Sequence, residues 1–174
     1  MSHTAHHFFE LLGLPQQFSI DLEVLQRNYR KIQAEVHPDK FVTATPSERL
    51  QSMQTATLMN EAYQTLKHPT SRARYLLQLQ GIETLEDSNT AMPADFLMTQ
   101  MEWREAMEDA QHAHDIDALE DLLRTMKASA KALQEEFADT VSGNPQAAAQ
   151  LVRKLSFIDK VSADVQEIIS RLED

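Results

Sequence analysis

The sequence predicts an all-α protein in two domains. Leu, Ala, Glu, Gln and Met are plentiful, while 174 residues include only three glycines, and the abundant types lose least on entering a helix. Apolar residues recur at spacings of three and four over long stretches, and β-branched residues are not concentrated in alternating runs. The charge is also split. Residues 1–81 hold eight Lys/Arg and seven Asp/Glu, whereas residues 82–174 hold eight and twenty, so the net −11 divides into +1 and −12. Two regions so different in charge are expected to meet different partners.

The elements follow in order. "HHFFELLGL" (6–14) predicts a short helix stopped near Gly13 and Pro15. A second helix starts at Asp21, a good N-cap, and carries Leu22, Leu25, Tyr29, Ile32 and Val36 at alternating spacings of three and four. It must stop near Val36, because Pro38 disfavours a helical conformation at His37. "TPSE" (45–48) opens a third helix with Thr45 as N-cap, Pro46 at the first helical position and Glu48 as the reciprocal partner. Its expected stripe is Leu50, Met53, Ala56, Met59, Tyr63 and Leu66, and Pro69 closes it. "SRARYLLQLQG" (71–81) gives a fourth helix with Gly81 as its C-cap. These four helices define a first domain over 1–81.

"IETLEDSNTAMP" (82–93) is polar and weakly periodic, and is read as a linker. Three long helices then follow at about 94–113, 116–141 and 146–172. The middle one carries Ile116, Leu119, Leu123, Met126, Ala130, Leu133, Phe137 and Val141, the last one Leu151, Leu155, Ile158, Val165, Ile169 and Leu172. Short connections make them antiparallel neighbours, so 94–174 is expected to be a three-helix bundle.

Several function classes drop out. Without cysteine there is no disulfide, thiol catalysis or thiolate metal site. No apolar run approaches the roughly 20 residues that span a bilayer, and "MSHTAHHFFELLGL" has neither a charged n-region nor a cleavage site. A cytoplasmic protein without a membrane partner is expected. The acidic half would be repelled by phosphate backbones, so nucleic acid is not an expected partner.

One stretch invites a functional reading. "AEVHPDKFV" (34–42) breaks the second helix with a proline flanked by His37 and Asp39. A metal site would need three or four ligands. His37 and Asp39 supply two, and the other histidines fall at His6–His7, His112 and His114. An active site would need a nucleophile or activated water beside an acid–base pair, and the sequence marks none; neither catalytic residues, metal nor cofactor is expected. A plain helix stop and a docking surface stay open on local pattern. For docking, Arg27 and Lys31 lie four apart and point away from the apolar stripe, forming a basic edge that leads to His37-Pro38-Asp39 and Lys40. Asp39 can accept a bidentate arginine, and Pro38 limits the ordering cost of binding.

Residues 7–80 resemble a J-domain, on the strength of "YRKIQAEVHPDKF" and "MNEAYQTLKHPTSRARYLL" and of the HPD tripeptide between two long helices. The resemblance implies a non-enzymatic activator that stimulates ATP hydrolysis by a DnaK-like chaperone. It assigns the essential contact to His37, Pro38 and Asp39. The second half lacks the Gly/Phe-rich and cysteine modules of general J-proteins. It resembles instead the C-terminal domain of the HscB family, on "FLMTQMEWREAMEDA" (96–110) and "VRKLSFIDKV" (152–161). That resemblance implies binding of an IscU-like iron–sulfur scaffold and its delivery to an HscA-like chaperone. An N-terminal cysteine module, frequent in eukaryotic relatives, is missing, as in the bacterial form. The alternative is a J-domain adaptor for another client; a helical histidine-metal enzyme is more distant.

Helical geometry bears on the same region. At 100° per residue, Phe96, Trp103, Met107 and Ala110 share one face, while Met101 lies about 160° from Trp103 with Leu97, Met98, Glu105 and Glu108 near it. One bundle interface buries only one of these apolar faces; which one is left open by the pattern. Phe157, about 100° from Ile158, borders the core stripe of the last helix. The resemblance places scaffold contacts at Leu97, Met98, Met101, Glu102, Glu105 and Phe157. Met101 stands where Leu is expected and Trp103 where another aliphatic is usual; methionine is pliable enough to fill the same pocket.

Overall fold

The computed structural model describes residues 6–84, 92 and 94–174. Among them every regular element is helical: α1 (Phe8–Leu11), α2 (Leu22–Val36), α3 (Pro46–Lys67), α4 (Pro69–Gln78), α5 (Ala94–His112), α6 (Ile116–Thr140) and α7 (Pro145–Glu173), with a 3-10 turn over Pro38–Phe41. The chain separates into two compact units, Met1–Leu76 and Leu77–Asp174, so the division falls inside α4. Most of the expected linker 82–93 lies outside the described residues; of its described part, Thr84 is buried.

In the first unit α2 and α3 run antiparallel, as the descending register of their contacts requires. Tyr29 stacks on Tyr63 at 4.1 Å and donates to Asn60 Oδ1 at 3.0 Å, Gln33 Nε2 donates to Ala56 O at 3.2 Å, and Ser52 Oγ donates to Val36 O at 2.6 Å. The expected caps form. Asp21 Oδ1 accepts from Glu23 N at 2.9 Å, and Thr45 and Glu48 exchange both bonds of a capping box at 3.2 Å. Pro69 ends α3 through an extended His68 (ψ 132°) and at once opens α4.

α1 has only four residues, too few to be stable alone, and is held from outside. Phe8 N–H donates to Tyr75 Oη at 2.8 Å and the two rings stack at 4.5 Å. Burial raises the Tyr75 phenol above its ordinary pKa, and the charge of Glu61 adds to this while the Phe8 bond opposes it. Gly13 closes α1 in the left-handed region (φ +67°), with Leu14 N–H reaching Phe9 O at 2.8 Å, a C-terminal motif that favours glycine. Arg72 is almost fully buried. Its guanidinium lies 4.8 Å from the Phe18 ring and Nη1 donates to Leu66 O at 2.7 Å, with no carboxylate to pair with among the described residues; desolvation brings its pKa down to about 10.

The α3 stripe departs from the expectation. Leu50 and Met53 are 56% and 55% exposed, and the buried residue of that turn is Ser52. Three successive steps of three residues each fall back about 60°, which carries Leu50 about 180° from Met59. Only Met59, Tyr63 and Leu66 of the stripe face the core, joined by Ala62.

In the second unit α5, α6 and α7 form the antiparallel three-helix bundle, each packed against the other two. Its core joins Phe96, Trp103 and Ala110 of α5 to Leu119, Leu122 and Met126 of α6 and to Ile158, Val161, Val165 and Ile168 of α7. Asp115 caps α6 by accepting from Ala118 N at 3.0 Å, and Asn144 caps α7 by accepting from Ala147 N at 3.1 Å.

Between α5 and α6, His114 holds φ +53° while Asp115 N–H bonds to Ala110 O at 2.9 Å. This is a helix-ending geometry that glycine adopts without strain and a side chain does not. His114→Gly is expected to raise unfolding stability by roughly 0.5–1 kcal/mol, the relief of strain outweighing the added chain entropy. Urea unfolding measures it; a lower midpoint would show that His114 makes compensating contacts.

Candidate functional site

The first surface is the turn after α2. His37 is extended (φ −58°, ψ 133°), as the residue before a proline must be, and it caps the 3-10 turn: its Nδ1 accepts from Asp39 N at 3.2 Å and its carbonyl accepts from Lys40 N at 3.0 Å. Nδ1 also stands 3.5 Å from Asp39 Oδ2, an ion pair only when the imidazole is protonated. In the neutral ring that accepts at Nδ1, the proton is on Nε2. The side chains remain open to solvent, His37 at 54% and Asp39 at 88% exposure.

The turn is fixed from below. The bond from Ser52 to Val36 O satisfies a carbonyl that the end of α2 leaves without a helical partner, and Gln33 donates to Tyr29 Oη at 3.2 Å behind it. Arg27, Lys31 and Lys40 are exposed, and none makes an ion pair among the described residues. Arg30, one turn beyond Arg27, is equally exposed and widens the basic edge. The sequence reading missed it, although its three-residue spacing was there to be read. Ser52 was missed because a serine inside an apolar stripe carries no signal of its own.

The second surface is on the bundle. The face of α5 that packs inward carries Phe96, Trp103 and Ala110, all buried, with Met107 packed beside them. The opposite face leaves Leu97, Met98 and Met101 at 44%, 65% and 71% exposure, bordered by exposed Glu102 and Glu105. Phe157 differs from these. It is half-buried on the core, edge-to-face with Phe96 at 5.8 Å, and the Arg104 guanidinium lies 5.4 Å from its ring centre. Phe157 therefore borders the patch and is partly covered by Arg104.

No group of three or more His, Asp and Glu placed to hold a metal is found among the described residues. No described helix is long and apolar enough to cross a membrane. Both surfaces offer exposed groups on rigid supports, which is the equipment of a binding protein.

Comparison with known proteins agrees on the class. The DnaJ domain family matches residues 7–75, and the family described as the HSCB C-terminal oligomerisation domain matches residues 92–166. This is a J-domain protein with an HscB-type helical bundle. A co-chaperone protein HscB homolog of Ralstonia nicotianae is 44% identical over 100% of both chains, and one of Paraburkholderia phymatum is 47% identical over 95% of both. Among solved structures, the chaperone HscB of Vibrio cholerae is 37% identical with a TM-score of 0.83, covering 96% of this chain and 99% of that one. The human co-chaperone HscB is 28% identical with a TM-score of 0.87, covering 95% and 83%. The chain belongs to the HscB family of co-chaperones.

The geometry separates the anchors energetically. Leu97→Ala and Met101→Ala remove exposed side chains and are expected to change stability by less than about 0.5 kcal/mol. Phe157→Ala breaks an aromatic pair against the core and is expected to cost roughly 2 kcal/mol. Chemical unfolding of the three variants checks the order; equal losses would place Leu97 and Met101 in the core.

Proposed function

We propose that this protein brings an IscU-like iron–sulfur scaffold to an HscA-like, DnaK-type chaperone in the cytoplasm and stimulates the ATPase of that chaperone, assisting cluster assembly and transfer. The observation that carries the reading is the HPD turn: the His37 and Asp39 side chains face solvent on a backbone locked by the α2–α3 pair. Chemistry at such a turn belongs to whatever docks on it. Asp39 offers two acceptor oxygens to a partner cation, and Arg27, Lys31 and Lys40 steer an acidic surface toward it.

The bundle holds the client. Leu97, Met98 and Met101 supply apolar anchors, Glu102 and Glu105 the polar rim, and Phe157 the edge of the pocket. Having both sites in one chain raises the local concentration of scaffold at the chaperone, so no catalytic step in this protein is needed. The cluster is cargo held by the scaffold.

Steady-state ATP turnover of the chaperone, with and without scaffold and this protein, tests the reading. His37→Gln is expected to abolish stimulation while leaving the thermal midpoint and scaffold affinity unchanged, because the side chain serves only its own turn. Normal stimulation by this variant would remove the turn from the mechanism.

The client half is tested by Leu97→Ala combined with Met101→Ala. Each anchor is worth roughly 1.5–3 kcal/mol on full burial, against about 8 kcal/mol for a micromolar complex. The double variant is expected to bind scaffold at least about 100-fold more weakly, by calorimetry, with its fold intact. Undiminished affinity would mean that the client sits elsewhere or is another protein.

A further inference from the structure

The methionines of the second unit fall into two groups. Met126 is fully buried, and its sulfur accepts from Ser162 Oγ at 3.9 Å. Met92 and Met107 pack against the core. Met98 and Met101 instead stand at 65% and 71% exposure on α5, more open than any other large apolar side chain described in that unit. In the first unit Met59 is buried and Met53 is exposed.

An apolar surface does not by itself call for methionine. Leucine has a similar volume, and Leu97 beside the pair offers apolar area with no reactive atom. Methionine adds a divalent sulfur with free lone pairs, carried here on side chains that are mostly in solvent. The sequence has no cysteine, so no thiol of this chain competes for an oxidant.

The chemistry open to such a sulfur is oxygen transfer. A lone pair attacks the terminal oxygen of a hydroperoxide, an S–O bond forms and the O–O bond breaks. The proton of the attacked hydroxyl passes to the departing oxygen, which leaves as water or an alcohol. Sulfur loses two electrons and the peroxide gains them. The product is a sulfoxide, polar and chiral where the thioether was apolar and flexible. In solvent the new S–O group is hydrated, and the fold is indifferent to it. Under a docked partner it is a buried acceptor that must find a donor or cost binding energy. Met98 and Met101 lie three residues and about 60° apart on one helix, so a partner that covers one also covers the other.

We propose that Met98 and Met101 form a modification site at which a hydroperoxide writes two sulfoxides on the free protein, turning off client binding without unfolding the bundle. The effect on the client rests on the scaffold reading of this face; the position of oxidation does not. His37 and Asp39 carry no sulfur, so the same oxidant leaves the HPD turn as it was. Reduction by a methionine sulfoxide reductase restores the apolar surface.

The full chain is treated with dilute hydrogen peroxide, the peroxide is removed, and peptide mass spectrometry locates the added oxygen. Met98 and Met101 are expected to be oxidised ahead of Met59, Met107 and Met126; oxidation of the buried methionines at the same rate would overturn the site. Calorimetric titration with the scaffold protein then gives, for each chain, the ratio of affinities before and after treatment, which is unaffected by any change of starting affinity. The unaltered chain is expected to bind at least about tenfold more weakly after treatment, the scale of burying polar groups without partners. Met53→Leu should lose as much. Met98→Leu combined with Met101→Leu should give a ratio near one; an equal loss in this variant overturns the proposal in favour of another residue. If both sulfoxides form and affinity holds while Leu97→Ala/Met101→Ala loses binding, the switch is overturned and the client face stands. If that variant also binds normally, the face itself is wrong and the switch falls with it. The thermal midpoint of the treated chain is read alongside. An unchanged midpoint with weakened binding supports a surface modification; a lowered midpoint overturns it in favour of damage to the core.

Discussion

A proline has no amide hydrogen, and the residue before it is kept out of the helical region. At position 38 these two facts organise the first unit. They stop α2 at Val36, extend His37, and leave carbonyl groups at the end of α2 that must find donors elsewhere. Ser52 answers for Val36 from α3, and that bond sets where α3 passes. Tyr29 on Tyr63 and Gln33 on Ala56 then fix the register of the pair. The result is a turn that exposes the His37 and Asp39 side chains on a fixed backbone.

Both proposed surfaces give up some stability. Arg27 and Lys31 are like charges four apart on one helix face, which disfavours the helix by a few tenths of a kcal/mol. Leu97, Met98 and Met101 leave apolar area in water where polar residues would fold as well. Neither feature helps the isolated fold. Marginal stability limits how many such concessions a small domain can make; in the second unit the broad core of α5, α6 and α7 offsets them.

Much of this was legible in the sequence because it rests on local rules. The caps at Asp21 and Thr45 use residues that bond their own backbone a few positions on, so no tertiary knowledge is needed. The two faces of α5 could be drawn from 100° per residue, but choosing between them required the partners: Phe96 meets Phe157 and Trp103, and no pattern within α5 states that. The α3 stripe failed for a reason visible in its own spacing. Steps of three without an intervening four rotate away from the core, so Leu50 and Met53 ended in solvent. Phe157, expected at the border of the core stripe, is half-buried there and meets Phe96 edge-to-face.

The anchoring of α1 bears on the order in which the chain assembles. Its first backbone amide is held by a tyrosine 67 positions later, at the far end of the first unit. A four-residue helix has no persistence of its own, so α1 depends on α3, which it packs against, and on Tyr75 of α4 for its anchorage. Contacts of such long separation form late because the loop they close must be ordered first. α1 therefore closes the first unit rather than starting it, and the Phe8 amide and ring lack their tyrosine partner until Tyr75 is in place.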